Sequence, residues 1–472
     1  PTRRKCPIAC GRGGTGLTYL IIWDGAEETA LFPAMVQRGK MPALHSFAQH
    51  ALIGQALFAH KSRPVDSLSC ISTIFNLPAE ELPASRAPLE ALGAGVRLKP
   101  GSVVWRCNRA AVQNGRLASV PASKEEACRT FWQACRAFLP KRMHLVSLSG
   151  YRALLVQEAP SSPLKNQEQK PLSVCPTPKD LAQKTESVPS KTKEQPGQTP
   201  SSPEGLGASS TKPPARFSLG EEVAQAASTS SLSTCSMQEE TPPMPALPPI
   251  PPPHQHLGEQ VDTLLAPLKG ETPLWHWVEQ SRMVQAGFMV YPWDAGPVPF
   301  FERINKIPPL KATCICQAEI VAGLAKLCGM HLVQPKGITG DANTSLSAKL
   351  AAALVAAQKD ALVVVHINGA DELAHRQDTK GKAQFLQKVD RAFLAPLFAG
   401  LSGDARILIT SDHVTSSQTG RHEREPVHWF GADYQARTGT FSPPTAQLVG
   451  TGCEQFRQLL YPKGRGLSWQ NP

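Results

Sequence analysis

Asp371 and His375 stand four residues apart in the run Gly369-Ala370-Asp371-Glu372-Leu373-Ala374-His375. On one helical turn that spacing puts a carboxylate and an imidazole on one face, which suits a shared metal ion. Solvated helices carry the same pair often. Ser411-Asp412-His413 sets two more donors directly after the apolar run Arg406-Ile407-Leu408-Ile409-Thr410. His422 follows within His-Glu-Arg-Glu-Pro-Val-His, and Asp24 closes the first apolar run, where it fits equally as a helix cap. Each feature is weak alone. Together, three Asp and three His are the donor set of a two-metal phosphoryl-transfer site, with cations about 3.5–4 Å apart clamping attacking and leaving oxygens. Metals also lower the pKa of a coordinated serine hydroxyl and make it a nucleophile. Val65-Asp66-Ser67-Leu68-Ser69-Cys70 offers Ser67 for that role, with Ser69 as the alternative. Read locally, the same segment is a helix start with Asp66 or Ser67 as its N-cap.

These residues need a frame that brings them together. Leu17 to Trp23 is a short apolar run ending at Asp24-Gly25, which predicts a buried strand entering a loop. Residues 361–367 and 406–410 predict two further buried strands, and 317–329, 345–358 and 381–399 predict helices. Strands alternating with helices predict an α/β domain with a mostly parallel sheet. Ligands bind such sheets outside the carboxyl ends of the strands, where the Asp and His residues fall. Residues 76–155 and 258–300 suggest a second unit, with a helix over 124–138. Gly11, Gly13 and Gly16 match a dinucleotide-loop spacing, but they precede a strand rather than follow one.

The chain has 472 residues, 41% hydrophobic, with 44 prolines and a formal net charge of +11. That length allows two or three domains. From about 159 to 256, Pro, Ser, Thr, Lys, Glu and Gln dominate and Phe217 is the only Phe, Tyr or Trp, which predicts a disordered insertion. Its end, Leu247-Pro248-Pro249-Ile250-Pro251-Pro252-Pro253, favours polyproline II. The basic balance suits anionic substrates. Without dense Lys/Arg runs or interleaved aromatics, nucleic acid is not expected as a partner. No apolar stretch reaches membrane-span length, and Leu17 to Trp23 is too short for a signal-peptide core. Twelve cysteines without CxxC pairs predict reduced thiols in a cytoplasmic protein.

Several stretches resemble, in order, the motifs of archaeal-type cofactor-independent phosphoglycerate mutases of the alkaline phosphatase superfamily. Ser85-Arg86-Ala87-Pro88-Leu89-Glu90-Ala91-Leu92-Gly93-Ala94-Gly95, Lys99-Pro100-Gly101 and Trp105-Arg106-Cys107-Asn108 look like GRGPLEALGAG, KPGD and FRCN. Gly337 to Thr344 resembles GATGxxDT, Asp371 to His375 resembles DEAGH, and Ser411-Asp412-His413 and His422 to Val427 resemble PDH and HTADPV. The nucleophile segment GSDVAN is not preserved, His428 stands where the family has proline, and the family has no proline-rich insertion of this length. The resemblance implies an alkaline-phosphatase-like α/β core (17–75 and 301–462) with helices on both faces. It also implies a smaller α+β cap (76–158 and 257–300), with the disordered Pro/Ser-rich linker at 159–256. It implies two divalent ions (Mn, or Zn, Co, Fe or Mg), one on Asp371, His375 and His422, the other on Asp24, Ser67, Asp412 and His413. Arg86, Arg106, Asn108 and Lys311 become the substrate-binding residues, since guanidinium forks fit phosphate and carboxylate. The implied reaction interconverts 2- and 3-phosphoglycerate through phosphoserine on Ser67. Alternatives are a phosphatase or phosphotransferase on the same site, or a degenerate scaffold.

Overall fold

A computed structural model describes residues 16–28, 31–77, 79, 82–118, 125–148, 150–159, 246–298 and 311–461. The expected disordered insertion lies outside the described residues from 160 to 245. The first apolar run forms the strand Leu17–Trp23, and its alternate side chains enter two different cores. Leu20 and Ile22 join one core; Tyr19, Ile21 and Trp23 join the other. Both faces are covered, which is why the run is apolar throughout. Leu362–Ile367 and Ala405–Thr410 pair with it in parallel, one on each side. The sheet runs Thr440–Ser442, Val427–Gln435, Ala405–Thr410, Leu17–Trp23, Leu362–Ile367, Ala312–Ile315, His331–Val333. Leu52–Ala56 also pairs with Val427–Gln435, antiparallel. Helices Ser67–Ile74, Glu319–Leu327 and Gly452–Leu460 cover one face, and Pro42–Ala48, Leu346–Ala356 and Thr379–Val389 the other. The fold is therefore mixed α/β around a mostly parallel sheet.

The expected helix over 381–399 is broken. Thr379–Val389 gives way to a π-helical turn, Asp390–Leu394, before Ala395–Ala399. The buried Asp390 accepts hydrogen bonds from the backbone of Ala43 and Leu44 at 3.1 and 2.8 Å. It caps the start of Pro42–Ala48, whose own N-cap residue, Met41, has no side-chain cap bond. Hydrophobic periodicity carries no trace of that interhelix cap.

A second sheet is antiparallel throughout: Arg116–Ala118, Val103–Gln113, Arg152–Gln157 and Met143–Ser147, with Phe288–Pro297 along the other edge of Val103–Gln113. Its aromatic core holds Trp105, Trp132, Trp277 and Tyr291. Residues 246–256 correct the expected linker boundary. Ile250 is buried in this core, Leu247 packs beside it, and the Tyr291 hydroxyl donates to the Pro251 carbonyl at 3.1 Å. The prolines lower the entropy of ordering this piece, and two apolar side chains among them suffice to dock it.

Helix Ala87–Gly93 crosses helix Glu319–Leu327 backbone to backbone. A Cβ at Gly323 would sit 2.1 Å from the Leu89 carbonyl oxygen, and one at Gly93 would sit 1.9 Å from that of Glu319. Ala87 and Ala91 of the same helix pack on Val104, Leu154 and Val156 of the second sheet.

Candidate metal centre

The register of the parallel strands sets the site. Ile22 lies opposite both His366 and Thr410, so three adjacent strands end at one level. The residues just beyond them, Asp24, Asp371 and Asp412, converge there and are all buried. Gly25 makes the approach feasible: its φ is +61°, and a Cβ on it would lie 2.7 Å from Asp371 Cα. Across this contact the Asp371 N–H donates to the Asp24 carbonyl at 3.1 Å, and the Gly25 N–H to Asp412 Oδ1 at 3.3 Å.

Three imidazoles face the carboxylates, each held from behind. His375 Nδ1–H donates to the Gly420 carbonyl, and His422 Nδ1–H to that of Val65, both at 2.8 Å. A carbonyl only accepts, so Nδ1 carries the proton and Nε2 points inward. For His413 the relay is longer. The Thr415 hydroxyl donates to Asp371 Oδ1 at 2.8 Å and therefore accepts from His413 Nδ1 at 3.0 Å. His413 Nε2 is then a bare lone pair, 3.5 Å from Asp24 Oδ1, 3.2 Å from Asp412 Oδ2 and 3.4 Å from Ser67 Oγ. In the neighbouring group, His375 Nε2 is 3.2 Å from Asp371 Oδ2, and His422 Nε2 is 3.4 Å from Oδ1.

Electrostatics say what this arrangement lacks. Burial, with Asp412 and Asp371 alongside, pushes Asp24 well above the ordinary carboxylate range. Burial and then Asp371 push Asp412 up to about 7. Against burial, His375 and His422 hold Asp371 well below its usual value. Burial and the adjacent His422 push His413 well below the usual imidazole value. Asp24 Oδ1 and Asp412 Oδ2 are buried with no hydrogen-bond partner. Buried carboxylates with orphaned oxygens, beside inward-facing lone pairs, require cations for charge balance. Asp371, His413 and His422 form one possible ligand group and Asp24, Asp412 and His413 another. The donor set fits divalent metals.

Ser67 opens the eight-residue helix Ser67–Ile74, buried beside His413. Asp66 caps that helix by accepting from the Ser69 N–H at 2.8 Å. The helix start and the candidate site are thus one segment. Ser69 Oγ is already engaged, accepting from the His60 N–H at 2.9 Å. Arg86 NH1 reaches Asp66 at 4.0 Å and opens a second cluster. Buried Glu90 takes Arg106 at 2.9 Å and Arg86 at 3.4 Å. Asp294 lies 4.0 Å from Arg106 and accepts from the Arg86 backbone N–H at 3.2 Å. The Arg106 guanidinium lies 4.1 Å over the Trp293 ring, whose N–H donates to Asn108 Oδ1 at 3.3 Å.

Residues 32–459 match the model of the metalloenzyme superfamily. The chain belongs to that superfamily. It is 30% identical over 182 residues to the 2,3-bisphosphoglycerate-independent phosphoglycerate mutase of Methanothrix thermoacetophila, spanning 37% of this chain and 46% of that protein. The match thus covers under half the length of that relative. The Methanopyrus kandleri protein of the same name is 24% identical over 379 residues, 77% of this chain and 74% of its own. A solved protein from Pyrococcus horikoshii shares the fold, with a TM-score of 0.57, 17% identity and 91% of each chain covered.

Within this metalloenzyme fold, all six expected Asp and His donors meet, and Ser67 joins them. Arg86, Arg106 and Asn108 gather in the adjacent cluster. Lys311 does not reach either: it stands exposed at the amino-terminal end of strand Ala312–Ile315, where its carbonyl accepts from Ala361 and Leu362. That is the opposite edge of the sheet, and a lysine's residue type does not say which end of a strand it will mark. Sequence reading missed Thr415, Glu90, Asp294 and His366. His366 Nε2 is 3.1 Å from Asp24 Oδ2, and burial pushes its pKa down to about 3. A histidine inside an otherwise apolar strand run was the available signal. Glu90 stands inside the Ser85 to Gly95 motif without a role of its own there, and Thr415 and Asp294 have no spacing to mark them.

Proposed function

We propose that this chain interconverts 2- and 3-phosphoglycerate without a bisphosphoglycerate cofactor. The observation that carries the reading is Ser67 Oγ, buried at a helix start, 3.4 Å from an inward-facing imidazole nitrogen and one residue from the Asp66–Arg86 contact. The names of the archaeal relatives support it. Asp371, His375 and His422 would hold one divalent ion, and Asp24, Ser67, Asp412 and His413 the other; Mn is the proposed metal, with Zn, Co, Fe or Mg as alternatives that imidazole and carboxylate donors also suit. When bound, the ions acidify the serine hydroxyl and neutralise phosphate charge.

The chain's own residues do the rest. Arg86 and Arg106 bind the carboxylate and phosphate of the substrate, with Glu90 fixing their forks. Ser67 Oγ forms a bond to phosphorus as the phosphorus–glycerate oxygen bond breaks. The proton lost by Ser67 ends on the freed glycerate oxygen. Glycerate stays, turns, and its other hydroxyl oxygen takes the phosphoryl group back, restoring the Ser67 hydroxyl. The second sheet and the helix Ala87–Gly93 keep water out while the phosphoserine exists. The small phosphorylated substrate is the proposed partner. The eight described cysteines form no disulfide with one another, and seven of them are buried, which fits a cytoplasmic setting. The test is phosphorus NMR of 3-phosphoglycerate with Mn-loaded protein and no bisphosphoglycerate. Formation of 2-phosphoglycerate is expected. Free phosphate as the only product favours a phosphatase, and no product refutes both.

A further inference from the structure

The proline-rich run ends on Pro253-His254-Gln255, a single 3-10 turn. Pro253 is buried and Ile250 is locked in the aromatic core, so the turn is tied down on its amino-terminal side. His254 itself is solvent-facing. Its ring meets Trp293 edge-on, with centroids 5.9 Å apart at 70°. Trp293 is the residue that carries Arg106 on its face and donates to Asn108. His254 therefore shares Trp293 with Arg106 and Asn108, on an element that neither the strands nor the helices of the site supply.

We propose that His254 is a substrate-contacting residue, delivered by the docked end of the proline-rich segment to the edge of Trp293, beside the arginine cluster. The inference rests on the mutase reading for the substrate's identity. Three features converge on it. The segment is held by Ile250, Pro253 and the Tyr291–Pro251 bond rather than by His254, so the imidazole has no structural duty beyond its Trp293 contact. Although much of the ring is exposed, its Trp293 side is desolvated, and that burial, with Arg106 next in weight, lowers its pKa to about 4. A neutral imidazole at the edge of Trp293 offers one N–H and one lone pair. It can thus donate to a bound anion and accept from a hydroxyl, the two kinds of group a phosphoglycerate presents.

The experiment uses metal-loaded, full-length protein with His254→Ala and His254→Gln. Binding of 3-phosphoglycerate and, separately, of inorganic phosphate is measured by calorimetry, and turnover of 3-phosphoglycerate in parallel. In His254→Ala, affinity for 3-phosphoglycerate falls about tenfold, the loss of one hydrogen bond to a charged partner. KM rises by a similar factor while kcat stays within about twofold, since the contact is made in ground and transition states alike. His254→Gln keeps a donor and an acceptor and recovers most of the loss. Metal content and melting temperature match wild type in both. Unchanged affinity for both probes in His254→Ala overturns the proposal, and so does an equal loss in the two variants, which would mean packing alone. A wild type that binds phosphate without turning over 3-phosphoglycerate sinks the mutase reading only. His254 then stands or falls on whether His254→Ala weakens phosphate binding about tenfold. A wild type that binds neither probe overturns both.

Discussion

The Nε2 atoms of His375 and His422 lie 3.1 Å apart, while each ring donates its Nδ1 proton to a backbone carbonyl. Two neutral imidazoles fixed this way present lone pairs to each other, which is repulsive unless a cation or an extra proton lies between. Asp371 raises His375 to about 9 against the effect of burial, so a proton can serve when no metal is bound. Metal loading should therefore release protons and stabilise the fold. Elemental analysis is expected to give two divalent ions per chain. A chelator should lower the melting temperature, by the equivalent of about 2.7 kcal/mol for each bound ion from a metal concentration one hundred times Kd. Metal content at background level would end this reading of the site.

The two serines of one helix start should part company. Ser67→Ala is expected to abolish phosphoenzyme and turnover while retaining most metal, because the six Asp and His donors remain. Ser69→Ala should retain turnover and lose about 1–2 kcal/mol of stability, since the His60 N–H loses its acceptor. Mass spectrometry of enzyme quenched with substrate locates the phosphate. A phosphoserine at position 69 would reverse the assignment.

The crossing of helices Ala87–Gly93 and Glu319–Leu327 tolerates no side chain at the contact. Gly323→Ala should cost about 1–3 kcal/mol or more, because backbone rather than a flexible side chain must move. It should also raise KM, since Arg86 and Glu90 sit on or beside the displaced helix. Urea midpoints and substrate titrations check both. A variant as stable as wild type would show that the helices can separate freely.

His428 contacts Glu27 at 3.1 Å, and that carboxylate raises its pKa above the ordinary imidazole value. A raised folded-state pKa contributes stability that is complete below the unfolded value, about 6.5, and fades as pH rises through the folded value. The pair is partly exposed, so the contribution is about 1 kcal/mol or less. His428→Gln should be less stable than wild type at pH 6, with the difference shrinking by pH 9. Equal differences at both pH values, by denaturant melts, would assign the effect to packing.

Much of this protein was legible in its sequence. Apolar runs buried on both faces can only be interior strands, so Leu17–Trp23, Leu362–Ile367 and Ala405–Thr410 announced a parallel sheet. The acidic and histidine residues just past them then had one edge on which to meet. What residue order could not decide was set by distances between segments hundreds of positions apart. Register brought Asp24, Asp371 and Asp412 to one level, and Gly25 let two of them touch. Carbonyls of Val65 and Gly420 turned two imidazoles inward, and Thr415 fixed a third. Lys311 went to the far edge because strand direction, not residue type, selects the end. The last residues of the proline-rich segment docked because Ile250 found an aromatic core assembled from the strands and helices of the second sheet. Composition averages over such a segment, whereas burial is decided one side chain at a time by what the fold places opposite.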